Sequence, residues 1–404
     1  MGIEARINNL RERIDNGDID PADERVIAAF DERLTLLAQE YTDHRHEKLL
    51  RHVIIMAESD DLPGGVLSEC LEEREAADTI LGWINDGYSN EETNRDYRSA
   101  LRVFARRVTD GDEIPDSVEH IPTGTSSDYD PTPDPREMLR WGEDIKPMIE
   151  ATSYSRNAAM IALQFDAGLR GSEFKELCVG DIQDHKHGLQ LTTDGAKKNR
   201  RTLLLIPSVT YISRWLEDHP NRDDPSAPLW SKLNTAEGIS DRMIYDVFQN
   251  AAAEADVSRP ITLTNFRKSS AAFLASRNLN QAHIEDHHGW VRGSDAAARY
   301  IAVFGSDTDR ELARLHGKDI AEEDEPDEIA PIDCPTCEQP NDRDASFCST
   351  CGQALDQQAA AEIEETEGSV REVLANLDPE DAQQLLKIAD LLEESDVRES
   401  LTDR

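Results

Sequence analysis

Residues 121–135, IPTGTSSDYDPTPDP, cannot join a hydrophobic core, because four of the chain's 18 prolines fall there and no apolar periodicity runs through them. Such a stretch reads as an extended linker, so the 404 residues must close at least two separate cores. A second break at 319–331, DIAEEDEPDEIAP, is acidic and interrupted by proline, and is expected to be solvated. Domains usually take roughly 100–200 residues, so two or three folded units are expected.

Before the first linker the pattern is helical, and an all-α domain is expected over residues 1–120, with a helical arm at 1–19. Ile3, Ile7, Leu10 and Ile14 recur at helical spacing. Asp20 ahead of Pro21 reads as an N-cap opening a helix with Val26, Phe30, Leu34 and Leu37 on one face. A third helix carries Leu49, Leu50, Val53 and Ile54, and a last one, capped near Ser89, carries Tyr97, Leu101, Phe104 and Val108.

Residues 136–318 change character. Helical patterns near 137–150 and 156–167 and a short one through Leu177 precede two strand-like runs between Gly188 and Ile206, with Asp194-Gly195 supplying the turn. Helical patterns return at 209–217, 240–254, 264–277, 281–287 and 295–304. The expected class is α+β, mostly helical, with one small antiparallel sheet.

No apolar run approaches the ~18–20 residues that span a bilayer. The longest candidate, Leu203 to Ile206, stops at Pro207. Glu4, Arg6, Arg11, Glu12 and Arg13 stand where a secretory signal would need its apolar core. The expectation is a cytoplasmic protein with no membrane partner.

Charge is distributed unevenly. The whole chain carries 43 Lys+Arg and 83 Asp+Glu, a formal charge of −40. Residues 1–135 hold 14 basic and 32 acidic side chains (net −18), 136–318 hold 24 and 25 (net −1), and 319–404 hold 5 and 26 (net −21). Two readings fit: chance variation in an acidic, salt-adapted protein, or a middle segment that must approach a polyanion.

Cys334-Pro-Thr-Cys337 and Cys348-Ser-Thr-Cys351 form two short-spaced pairs separated by ten residues. Four thiolates presented from two turns suit tetrahedral zinc in a closed structural site. Disulfides are the alternative; they are disfavoured because nothing marks the chain as secreted. The segment 332–356 is too short for a core of its own, so metal must stabilise it, and it resembles a zinc ribbon. Over 357–404, Val370, Val373, Leu374 and Leu377 form one apolar stripe. Leu385, Ile388, Ala389 and Leu392 form another after Asp378-Pro379, making a helical tail suited to a protein partner.

The stretch Asp166-Ala-Gly-Leu-Arg-Gly-Ser-Glu173 followed by Leu177, together with Arg267, Trp290 and Tyr300, resembles the tyrosine recombinase (phage integrase) family. The run WLEDHPNRDDPSAPLW at 215–230 is similar to integrase-like proteins of salt-loving archaea. The resemblance implies a site-specific recombinase that binds double-stranded DNA as a homo-oligomer. It also implies a 3′-phosphotyrosyl intermediate, made without ATP or any catalytic cofactor. In that reading Tyr300 is the nucleophile, Arg170 and Arg267 clamp the phosphate, and Lys197 is the general acid. Trp290 donates its indole N–H to a phosphate oxygen, Glu173 orients Arg170, and Lys198, Arg200 and Arg201 contact DNA. Two departures stand out. Thr264 occupies the place where the family carries His, and the interval from Trp290 to Tyr300 is one residue longer than usual. Thr264 opens an alternative, a cleavage-impaired DNA-binding regulator that recruits a partner through its ribbon and tail.

Overall fold

A computed structural model describes residues 2–16, 19–109, 113–194, 200–305, 312, 316–317, 328–361, 363 and 365–366. Lys197, Lys198, Gly195, most of the acidic run and both apolar stripes of the tail lie outside the described residues. The chain forms two compact units, Met1–Pro131 and Thr132–Arg404, with the boundary inside the proline-rich stretch. The class is α+β and mostly helical. Among the described residues no helix is long and apolar enough to cross a membrane.

The first unit is built from α1 (Ile3–Asp15), α2 (Pro21–Leu36), α3 (Asp43–Ala57), α4 (Val66–Glu69), α5 (Arg74–Gly87), α6 (Glu91–Val108) and α7 (Asp116–Glu119). Asp20 caps α2 by accepting from the Ala22 N–H at 2.8 Å, and Pro21 opens the helix. Its buried face carries Ile27, Phe30 and Leu34, one step round from the expected stripe, so Val26 and Leu37 are only half-buried. The shift accommodates Asp23, which is also buried and accepts from the N–H groups of Gly65 and Ser68 at the start of α4. The cap of α6 is Asn90, whose side chain accepts from the Thr93 N–H, and not Ser89. The core closes on Phe30 and Phe104, edge to face at 5.4 Å.

The second unit opens later than its sequence suggests. Asp144 accepts from the Arg140 N–H, a π turn spans Trp141–Ile145, and α8 (Lys146–Glu150) continues from it. Then follow α9 (Ser155–Ala167), α10 (Gly171–Lys175), β1 (Ile182–His185), β2 (Gly188–Asp194), β3 (Arg200–Leu205) and α11 (Val209–Asp218). After them come β4 (Ser231–Lys232), β5 (Thr235–Gly238), α12 (Asp241–Glu254), α13 (Leu263–Ser276), α14 (Gln281–His288) and α15 (Asp295–Phe304). The antiparallel sheet runs β1-β2-β3, with Leu191 between Ile182 and Leu203. Strand β1 and the hairpin of β4 and β5 add to the two strands that the sequence pattern predicts. Strand β1, with Gln183, Asp184 and His185, is a short polar edge, and β4 and β5 form a second small hairpin. Helices α9, α11, α12 and α13 and the sheet enclose a core containing Phe165, Phe174, Trp215, Trp230 and Phe266.

Candidate active site and cysteine cluster

Helix α9 ends at Gly168, which adopts φ +54°, where a Cβ would stand 2.7 Å from His288 Nε2 and 2.9 Å from Ser270 Oγ. Only glycine fits this turn. The chain then buries Leu169 and places Arg170 at the N-cap of α10. Glu173, in the first turn, accepts from the Arg170 N–H at 2.8 Å through Oε2 and from Arg170 Nη1 at 2.8 Å through Oε1. Its side chain is 1 % exposed. Burial would raise this carboxyl, but the Arg170 N–H and the guanidiniums of Arg201 and Arg170 outweigh it and hold the group below the usual range.

Arg201, expected at the DNA-facing hairpin, turns inward. Its Nη2 donates to Glu173 Oε2 at 2.8 Å and its Nη1 to the His288 carbonyl at 2.9 Å. Strand alternation explains this, because Arg201 shares a face with buried Leu203 and Leu205 while Arg200 shares the exposed face with Leu204. That period-2 signal was available in the sequence. Arg267, on α13, donates to the Gly168 carbonyl at 2.7 Å and to the same His288 carbonyl, and its guanidinium lies 5.6 Å from the centre of the Trp290 ring. Arg170 Nη2 reaches the Gly289 carbonyl at 3.0 Å. Three guanidiniums thus gather around one carboxylate, leaving two positive charges uncompensated. Burial, then the charges of Arg170 and Arg201, push the Arg267 pKa down.

Four rings stack beside this cluster. His288 lies 4.8 Å from Trp290, Trp290 5.7 Å from Tyr300, and Tyr300 6.4 Å from Phe304, with planes 25°, 16° and 20° apart. The loop at Gly293 (φ +73°), whose N–H meets the Glu285 carboxylate, takes up the long interval before α15. Tyr300 is 8 % exposed, and burial pushes its phenol up to about 12 despite the lowering effect of Arg267. His288 is fully buried; its Nδ1 donates to the Ile284 carbonyl at 3.2 Å, so Nε2 carries the lone pair and has no partner. His287 donates through Nε2 to the Asp166 carbonyl. Thr264 is exposed on the first turn of α13, as are Arg200 on β3 and His283 on α14.

The four cysteines converge separately. Ile332–Asp333 (β6) pairs with Pro340–Asn341 (β7), and two equivalent turns follow the same bonding pattern. The N–H of Glu338 meets the Cys334 carbonyl as that of Gly352 meets Cys348, and both residues have positive φ, +61° and +73°. The Sγ atoms of Cys334 and Cys351, and of Cys337 and Cys348, are 3.6 Å apart, and all four lie within 4.8 Å of one another. A metal bound by sulfur at about 2.3 Å in a tetrahedron needs sulfurs roughly 3.8 Å apart, so the donor set fits. Asn341 locks the second turn, accepting from Ser349 N–H and donating towards Cys348 Sγ. Within the second unit the cluster is tied to the rest by Tyr211, which donates to Asp342, and by Lys146 paired with Asp344.

Residues 142–306 match the model of the phage integrase family. The fold is similar to that of the Tn1549 transposon integrase in complex with a circular intermediate DNA (14% identity, 72% of this chain and 98% of that one, TM-score 0.54). It is similar to a lambda integrase tetramer bound to a Holliday junction (16% identity, 70% and 78%, TM-score 0.52). It is also similar to the XerH site-specific recombinase bound to its difH substrate (14% identity, 74% and 96%, TM-score 0.50). None of the curated proteins matches the chain.

Proposed function

With residues 142–306 forming a phage integrase (tyrosine recombinase) domain, we propose that the protein is a site-specific DNA strand-transferase acting through a covalent 3′-phosphotyrosine. The observation that carries this reading is the convergence of Arg170 and Arg267 beside the ring stack that contains Tyr300. Tyr300 Oη attacks the scissile phosphorus and loses its proton to solvent, while the bond from phosphorus to the 5′ oxygen breaks. Lys197 protonates that oxygen as it leaves. Arg170 and Arg267 hold the nonbridging oxygens, and Trp290 adds an indole N–H. Two guanidiniums and a lysine supply the charge for which metal-dependent nucleases use Mg²⁺, and the stored phosphotyrosine bond makes ATP unnecessary. Religation by a 5′ hydroxyl runs the same steps backwards.

In this reading the helical unit at 1–120 and the catalytic unit at 136–318 both engage duplex DNA, in a homo-oligomer as in the lambda integrase tetramer. Lys198 and Arg200 meet phosphates at the hairpin. Cys334, Cys337, Cys348 and Cys351 would hold a structural zinc, which supplies the ribbon's fold and no chemistry at the phosphate. The acidic ribbon and the tail at 357–404 favour a protein partner over DNA. Adaptation to concentrated salt fits the charge balance, and a cytoplasmic location fits a protein that acts on DNA.

A second reading has its own support. Thr264 removes a proton acceptor, and Tyr300 is packed inside with its proton held firmly. Both favour a DNA-binding regulator that has lost cleavage. A nicked suicide duplex from the protein's own genomic neighbourhood separates the two. The enzyme gives a covalent protein–DNA adduct that Tyr300→Phe abolishes while keeping DNA binding. Binding without an adduct supports the regulator, and an undiminished adduct in Tyr300→Phe sinks the nucleophile assignment.

A further inference from the structure

Among the described residues, Arg201 is the group that touches both anchors of the arginine cluster. Its Nη1 lies 3.3 Å from Glu173 Oε1 and 2.9 Å from the His288 carbonyl, and its Nη2 lies 2.8 Å from Glu173 Oε2. Glu173 also holds Arg170, and the His288 carbonyl also holds Arg267. Removing Arg201 therefore cuts the link between the two residues that grip the phosphate in the proposed reaction.

A second observation, independent of these bonds, concerns Gly289. It adopts φ +58°, and a Cβ there would lie 2.3 Å from Arg201 Nη1. The chain turns between His288 and Trp290 in the space that the guanidinium needs. The Arg201 side chain is 11 % exposed, and its charge is answered by both oxygens of a carboxylate. Arg267 is also buried, but its bonded partners are carbonyls, so its charge stays available to a phosphate. Arg200, one residue earlier, faces solvent.

We propose that Arg201 is a positioning residue: it fixes Arg170 and Arg267 relative to one another through Glu173 and the His288 carbonyl, and does not contact DNA. This rests on the strand-transfer reading for its consequence in rate, but its contrast with a phosphate contact stands without cleavage. A phosphate contact contributes to counterion release, so losing it reduces the slope of log affinity against log salt by about 1. A positioning residue leaves the slope alone and changes the rate at saturating DNA, where a misplacement of ~1 Å can cost about 100-fold.

The test uses the full chain with Arg201→Met, Arg201→Lys and Arg200→Ala. DNA affinity is measured across a salt series, and single-turnover cleavage of the nicked duplex is measured at saturating DNA. Arg200→Ala calibrates the slope change of a true phosphate contact. Arg201→Met is expected to keep the wild-type slope and to cleave about 100-fold more slowly. Arg201→Lys keeps the charge but loses the two-pronged grip, and is expected to fall between Met and wild type. It carries the same comparison should Arg201→Met fail to fold. A slope reduced as in Arg200→Ala, or wild-type cleavage by both Arg201 variants, overturns the proposal. If the wild-type chain forms no adduct, the strand-transfer reading fails; the slope alone then decides whether Arg201 is internal or a DNA contact.

Discussion

Trp290 covers one face of Tyr300, the ring centres 5.7 Å apart and the planes within 16°. The phenol is therefore held in an apolar seam, and burial raises its pKa to about 12. Through the neutral range Tyr300 keeps its proton. In the strand-transfer reading, with Thr264 exposed where the family has a histidine, the phenolate forms by loss of the proton to solvent. Single-turnover cleavage is thus expected to rise about tenfold for each pH unit between roughly 7 and 9, following the phenolate fraction. A flat profile would mean that a protein base takes the proton. Thr264→His should flatten the rise if that position has access to the phenol.

Acid should loosen the second unit through His287 and His288. Burial lowers the pKa of His287 to about 4 and that of His288 well below 6.5. The unfolded chain then binds more protons below its own histidine pKa, so this stability is present above about pH 6.5 and is lost as pH falls towards 4. At about 1.4 kcal/mol for each pH unit, His287 alone contributes roughly 3 kcal/mol. Asp166 acts in the opposite direction, because burial raises its carboxyl to about 6, but it is one group against two. Urea unfolding at a series of pH values should show stability falling across this window. A denaturation midpoint that is constant from pH 7 to 4.5 contradicts the assignment of both rings as neutral.

Glu173→Gln leaves Arg170 and Arg201 without their shared carboxylate. Breaking a buried pair costs about 3–5 kcal/mol, and roughly 2–3 is expected here because Arg170 is partly open to water. Denaturant unfolding of the full chain measures it, with the loss assigned to the second unit. A change under about 0.5 kcal/mol, typical of a surface pair, would show that water already screens the cluster.

One zinc ion per chain is expected by elemental analysis, and none in Cys348→Ser. Because the four cysteines lie in the ribbon, removal of the metal by a chelator should leave far-ultraviolet helicity nearly unchanged while releasing Tyr211 from Asp342. Zinc retained in full by Cys348→Ser would place it elsewhere.

Deleting residues 319–404 removes a net charge of −21. DNA affinity is expected to increase on deletion, most at low ionic strength, where a charge is felt over ~30 Å, compared with ~10 Å at 0.1 M salt. Weaker binding by the truncated chain at every salt concentration would make the ribbon a DNA contact.

Much of this architecture was legible because its signals are local. Asp20-Pro21 marks the start of α2, and Ala-Gly-Leu-Arg at 167–170 marks a turn that needs glycine. Strand β1 was not, since three of its four residues are polar and only Ile182 is core-facing. The helix assigned from 137 begins later, because the Arg140 N–H is captured by Asp144 in a π turn whose spacing no helical pattern announces. Within the site, the pairing of Glu173 with Arg170 followed from one helical turn of spacing. Its pairing with Arg201, 28 residues away, depends on where the fold brings β3 relative to α10. The place of His288, between Gly168 and Trp290, likewise arises only when α14 closes on the end of α9.

If Tyr300 is the nucleophile, the seam around it also confers latency. In the strand-transfer reading the side chain that breaks DNA is kept largely covered: at 8 % exposure Tyr300 contrasts with Tyr154 at 53 % and Tyr245 at 50 %. A nitrating reagent applied to the DNA-free chain should modify those two tyrosines well before the third. On cognate duplex the order should change, because attack requires the phenol to leave its shelter and meet the phosphate. The packing that hides the nucleophile would then act as a safety catch, with the correct DNA as its release.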